Sequence, residues 1–395
     1  MKAGPLNRTG KKILGLLLAI SLPILPGCWD QTELNEIALI RAVGIDRTED
    51  GQIEVTVLQA IPVRAGTNSG SGGAGGGGGK DRQVVLSAQA PTIPEAKEQL
   101  QEKMGRRLFV GHQEVVVFGK RIAESGIREA LDFLARQPQI RMDAFVFVTE
   151  GSPKEIFETV VPGETTATET LYKMIKLERR VDMTVMRVLQ EMSGDAESAV
   201  IPVVMKVNDT TLALDGAAIF RKDQMVAHLD RNAEEGLLWI REEFTSRTIN
   251  ARLPEEEGYV TMEVIRADVR LIPKIEGDKR RMLVKVNSED DVQFNGTRLS
   301  LYHPANMDRI GREMEKSIQN RLRRTVEMAQ RARADVLGFA RAFHRKYPKE
   351  WKKMKDQWNE RMFPQLDVDI QVRVHVRRPG VTDQPAGLPG EELKQ

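Results

Sequence analysis

Few residues in this chain have the types and spacing that chemistry needs. Five histidines, His112, His228, His303, His344 and His375, form neither H-E-x-x-H nor any other pair at metal-ligand spacing. No G-x-S-x-G elbow offers a serine nucleophile. Gly70-Ser71-Gly72-Gly73-Ala74-Gly75 satisfies G-x-G-x-x-G, as any polyglycine run does, but the segment after it, Gln83–Ala88, reads as strand where the motif needs a helix. Lys80 is no phosphate-loop lysine, because Ala74 sits where the earlier Gly belongs and Asp81 follows. The pairs Asp290-Asp291 and Asp367/Asp369 lack the glycine and spaced ligands of a calcium loop. Asp46, closing Gly44-Ile45-Asp46, is better suited to capping a turn than to catalysis. No catalytic residue, cofactor or metal is expected, and the chain reads as a non-enzyme.

One residue does point to chemistry. Cys28 is the sole cysteine, so neither an intrachain disulfide nor a multi-thiolate zinc site is open to the chain. Ahead of it stand Lys2, Arg8, Lys11 and Lys12, then the uncharged run Ile13–Leu25, then Pro26-Gly27. A basic start and an apolar run of about 13 residues make a secretory leader that is too short to span a bilayer. Leu25-Pro26-Gly27-Cys28 resembles a bacterial lipobox, with Pro26 an unusual residue inside it. The thiol of Cys28 is therefore the expected lipidation site, with residues 1–27 removed as a signal peptide and a diacylglyceryl anchor left on the outer face of a membrane.

The totals fit an exported body with no polyanion partner. The formal charge is +2, yet four of the 59 basic residues and none of the 57 acidic ones precede Cys28, which leaves 55 against 57. So balanced a surface gives no electrostatic case for nucleic acid.

The elements that follow are of mixed type. Ala38–Asp46 and Ile53–Val63 read as strands, and Ala65–Gly79 (residues 65–79) as a flexible Gly-rich loop. Helices are expected from Pro94, over Arg121–Arg136, and from about Thr165 to Met192, with strands at Glu114–Phe118, Asp143–Thr149 and Ala199–Val207. A hairpin, Leu212–Phe220 with Gln224–Leu229, opens a second unit, followed by helix Asn232–Ile240 and strand Glu242–Ile249. Strands Val260–Ile272 and Met282–Val286, a helix over 306–343 that Gly338 interrupts, and a helix over Pro348–Met362 complete the order. Leu366, Val368, Ile370, Val372, Val374 and Val376 alternate strictly with polar residues and dictate a last strand with one buried face. Trp351 and Trp358 are read as core. The fold class is α+β, with antiparallel or mixed sheets flanked by helices. The expected divisions are 28–206, 207–258 and 259–378, with a tail over 379–395.

Several segments together resemble one family. Cys28-Trp29-Asp30, Glu33-Leu34-Asn35 and Ala42-Val43-Gly44-Ile45-Asp46 come first; Gly111-His112-Gln113 running into Val115–Gly119 and Gly216-Ala217-Ala218-Ile219-Phe220 follow. Ala334-Asp335-Val336-Leu337-Gly338-Phe339-Ala340, Trp351, Trp358 and Arg377-Arg378-Pro379-Gly380 complete the set. This resembles the Ger(x)C proteins, the C subunits of the nutrient germinant receptors of spore-forming bacteria. The resemblance implies successive α+β domains in an elongated arrangement. It also implies a place in the spore inner membrane beside two integral membrane partners, an A subunit and a B subunit. The reading from another class is a solute-binding lipoprotein of a membrane transporter, which would show two lobes of βαβ type around a cleft.

Overall fold

The computed structural model describes residues 36–61, 83–178, 180–244, 248–253 and 256–378, with Arg8 besides. Its first sheet is built from β1 (Ile37–Arg47), β2 (Ile53–Ala60), β3 (Gln83–Ala90), β4 (Arg107–Phe109), β5 (Val115–Gly119), β6 (Phe145–Thr149), β7 (Ser198–Asn208), β8 (Thr211–Arg221) and β9 (Gln224–Leu229). The order is β3-β2-β1-β5-β6-β7-β8-β9, with β4 beside the start of β1. The central β1-β5-β6-β7 strands are parallel and the flanks are antiparallel. Parallel strands are covered on both faces, which is why β5 and β6 are buried at every position instead of alternating. β7 crosses residue 206 and pairs with β8, so the sheet continues unbroken beyond that point.

Both faces carry helices: α1 (Ile93–Glu102), α2 (Lys120–Ser125), α3 (Arg128–Arg136), α4 (Pro153–Glu158), α5 (Ala167–Glu178), α6 (Val185–Met192) and α7 (Arg231–Ile240). Val116 and Phe118 point to the face packed by Ile93, Leu100, Leu131 and Leu134 of α1 and α3. Val115 and Val117 point to the other, against Ile156 and Phe157 of α4 and Leu171 and Ile175 of α5. Burying each such side chain contributes roughly 1.5–3 kcal/mol.

The second sheet has the order β10 (Thr248–Arg252), β11 (Tyr259–Glu276), β12 (Lys279–Asn295), β13 (Asp367–Arg378). β11 and β12 form one long hairpin, and β13 lies parallel to β12. Helix α8 (Pro304–Arg331) packs on the buried face through Ile310, Met314, Ile318, Leu322 and Val326. The alternation of β13 is as the sequence dictates, with Ile370 and Val374 buried and His375 exposed. This strand is an edge, and an edge leaves backbone groups unpaired. Two of them are met by α8 side chains one turn apart: Gln319 Nε2 donates to Ile370 O at 2.6 Å, and Val374 N donates to Glu315 Oε1 at 3.1 Å. The chain thus forms two successive sheets flanked by helices, the α+β class expected.

Several elements differ from expectation. The helix expected over Arg121–Arg136 is two, α2 and α3, parted at Gly126, whose φ is 124°. The helix expected over residues 165–192 is two, α5 and α6. Arg180 between them is drawn into the interior, and Thr184 restarts the helix by accepting from Arg187 N. The helix expected over 306–343 is also two, because α8 stops at Arg331 and α9 (Phe339–Lys346) begins after Gly338. Within that break Arg333 and Gly338 take left-handed φ of 51° and 82°, and Asp335 accepts from the backbone N–H of Leu337, Phe339 and Ala340. A short polar side chain that bonds local backbone competes with helix, and here it wins. The strand expected at Glu242–Ile249 begins later, as β10, because Glu242 turns the chain at φ 58° after α7. α10 (Pro348–Met354) is likewise shorter than expected and continues as short 3₁₀ and π turns to Gln365.

Asp290 is a conflict within this core. It lies on the buried row of β12, between Val264 of β11 and Val376 of β13, and neither carboxylate oxygen has a hydrogen-bond partner. Burial pushes its pKa up to about 7. A carboxyl raised above its unfolded value binds its proton more tightly in the folded state. Its contribution to stability is thus complete below the unfolded pKa and is lost as pH rises through about 7. Between pH 5 and pH 8 the loss is about 2–3 kcal/mol. Asp290→Asn should remove that part of the pH dependence. Urea denaturation at the two pH values checks this, with a smaller drop expected for the variant than for the parent chain.

Candidate functional site

Cys28 and the Gly-rich stretch 65–79 lie outside the described residues. Asp46 does cap: its Oδ1 accepts from Ile122 N at 3.1 Å in the first turn of α2, and burial raises its pKa. Asp367 pairs with Arg281, and Asp369 accepts from Gln371. His228 bonds the Asp215 carbonyl and His344 pairs with Asp195 at 2.9 Å. Among the described residues no three His, Cys, Asp or Glu side chains converge as metal ligands. Trp351 and Trp358 are core, packed edge to face at 5.1 Å, and Trp358 Nε1 donates to Asp335 Oδ2 at 2.9 Å. Burial raises the Asp335 pKa against the pull of these four N–H donors.

What the fold brings together is a seam between the two sheets. Helix α7 closes the first sheet and packs on α8 of the second. The contact is close at Gly236, where a Cβ would fall 2.1 Å from Thr325 Oγ1, and that hydroxyl donates to Ala233 O at 2.9 Å. Arg321 with Glu235 and Arg324 with Asp230 flank the contact. Below it Glu234 is fully buried with Arg180, whose Nε is 3.1 Å from Glu234 Oε1; the same oxygen accepts from Val181 N.

Just past α7 the seam opens into a cleft of about 680 Å³, between α6, the end of α7, α9 and β11. Arg241 stands at its inner end. Its Nη1 and Nη2 donate to the two Glu191 oxygens at 2.9 and 3.2 Å, and its Nε to Val336 O at 2.6 Å. Burial works against this charge, but Glu191 and Glu243 outweigh it and the guanidinium holds its proton more tightly than usual. Arg187 Nη2 reaches Glu243 at 2.6 Å, and Glu242 accepts from Val269 N at 3.0 Å. Arg341 and Arg345 of α9 line the outer wall. The arrangement can recognise an anion; it sets up no nucleophile beside a base. Sequence reasoning missed this site because its charges lie in four distant segments, each of surface-like composition. The one local signal is Arg241, set directly after the buried run Leu237–Ile240.

Removing one member of the Arg241–Glu191 pair leaves the other charge buried and unmatched. Arg241→Met should therefore destabilise the chain by about 3–5 kcal/mol, and adding Glu191→Met should restore most of the loss. Urea denaturation of the two single variants and the double variant measures this cycle.

With the geometry in hand, comparison with known proteins is informative. The family model described as the spore germination protein N-terminal domain matches residues 30–206, and the model described as spore germination B3/GerAC like, C-terminal, matches residues 215–380. Spore germination protein KC of Bacillus subtilis (strain 168) is 28% identical, over 95% of this chain and 97% of its own. Spore germination protein GerQC of Bacillus cereus is 22% identical, over 94% of this chain and 99% of its own. The crystal structure of the GerBC protein shares the fold at a TM-score of 0.57 and 16% identity, covering 85% of this chain and 96% of that one. Two consecutive family matches over nearly the whole chain, on a fold shared with GerBC, make this chain a member of the Ger(x)C family of spore germination proteins.

Proposed function

We propose that this chain is a lipid-anchored, non-enzymatic subunit of a spore nutrient germinant receptor, assembling with integral membrane A and B subunits. The observation that carries the reading is the unbroken sequence of both family domains, with relatives named spore germination proteins A3, B3 and KC matching over nearly their full length. Its seam is built from interlocking ion pairs and a cleft that can hold an anion, which suits a protein acting through contact.

No helix among the described residues is long and apolar enough to cross a membrane. On this reading the hold on the spore inner membrane is the acylated thiol of Cys28. Acyl chains contribute about 0.8 kcal/mol per buried CH₂, and two chains anchor stably where one is marginal. The body is then confined to within a short tether of its partners, which raises their effective concentration without any new contact.

Cys28→Ala should shift most of the protein from the membrane fraction to the soluble fraction and slow the germination response to nutrients. Spore fractionation and a germination time course measure the two effects. Full membrane retention with normal germination would contradict the proposal.

A further inference from the structure

The hydrogen-bonding capacity left unmet in the seam cleft is one-sided. Its acids are engaged: Glu191 by Arg241, Glu243 by Arg187, Asp195 by His344, Glu242 by the backbone of Val269, and Asp335 by its four N–H donors. Arg187 and Arg241 are matched in the same pairs, and Arg270 pairs with Asp268. Arg341 and Arg345 are exposed on the cleft wall and make no ion pair with any described residue.

The floor has a matching feature. β10 covers β11 only over Tyr259–Glu263, so the rest of that edge has no strand beside it among the described residues. Val269 N points out of the hairpin, because it donates to Glu242. Pro273 O also points out, accepting from Lys346 Nζ at 2.9 Å. Strand residues alternate in the direction of their backbone groups, so Leu271, midway between these two, turns its N–H and C=O into the cleft as well. No described group bonds either one. Pro273 itself has no N–H, as expected of a proline on the open side of a strand.

The two features have compatible spacing. Arg341 and Arg345 are one helical turn apart, about 5–6 Å between Cβ atoms. Alternate side chains of an extended peptide are about 6.8 Å apart on one face. We infer that the cleft receives an extended acidic segment of a partner protein, which pairs its backbone with Leu271 and sets carboxylates two residues apart against Arg341 and Arg345. Strand addition supplies the main-chain bonds, and the guanidiniums select for charge. The inference stands whether or not the partner is a receptor subunit.

The test uses the full chain in detergent and a fluorescein-labelled peptide, Val-Glu-Val-Glu-Val-Glu-Val, followed by fluorescence anisotropy at low salt. The glutamate peptide should bind, and the corresponding Val/Lys peptide should not. The double substitution Arg341→Glu with Arg345→Glu should weaken binding at least tenfold while the thermal midpoint stays unchanged. N-methylation of alternate peptide amides, which blocks strand pairing, should weaken it comparably. Equal binding by the double variant, equal binding by the methylated peptide, or no binding of the glutamate peptide would each overturn the inference. Competition by free glutamate at the same concentration would also overturn it, by making the site one for a small molecule.

Discussion

Arg180 and Glu234 meet where neither side chain reaches water, between the segment that leads into α6 and the helix α7. A charge taken from water into the interior is tolerated only with a partner of matching geometry, and losing one member is far worse than losing both. The chain around Arg180 is therefore committed to one position, and so is α7. α7 in turn presents Gly236 to Thr325 and leads directly into Arg241, which grips Glu191 and the backbone at Val336. The seat of α8, the start of α9 and the shape of the cleft all follow from where α7 lies. These are charge-assisted and directional bonds, so each is made only at one relative orientation of the elements it joins.

Much of the fold was legible in the sequence where one periodicity had one burial to explain it. The strict alternation from Leu366 to Val376 has a single solution, and so has the hairpin around Arg221-Lys222-Asp223, where Lys222 takes a left-handed φ of 56°. The sequence pattern overextends the long helices for a physical reason. Leu322, Val326 and Ala329 continue in helical step toward Val336, Leu337 and Phe339, and all are buried, so the periodicity runs on through a real break. The break is made by Asp335, whose grip on the next helix is completed by Trp358, 23 residues away. The break at Arg180 depends on Glu234, 54 residues on. Neither partnership leaves a local trace.

The cleft was still less legible. Arg241, Glu191, Arg187 and Glu243 are ordinary surface letters until α6 and α7 are brought side by side, and the open edge at Leu271 exists only because β10 is short. The sequence carries no catalytic spacing, and nothing in it marks which surface would make a contact. Cys28 is the reverse case: the role proposed for it rests on the basic and apolar segment before it, independent of any fold. The two halves of the functional reading thus rest on different physics, a proposed tether inferred from the sequence and a surface assembled by the fold.

The central claim is that α7 joins the two sheets into one mechanical body, so that the first sheet sets the position of the cleft. Native-state hydrogen exchange followed by mass spectrometry tests it directly. Amides of β11–β13 and α8 should open with the same free energy as those of α7 and of β5 and β6, in one cooperative unit. Exchange of the second sheet through a separate, lower-energy opening, while α7 and the first sheet stayed protected, would contradict it.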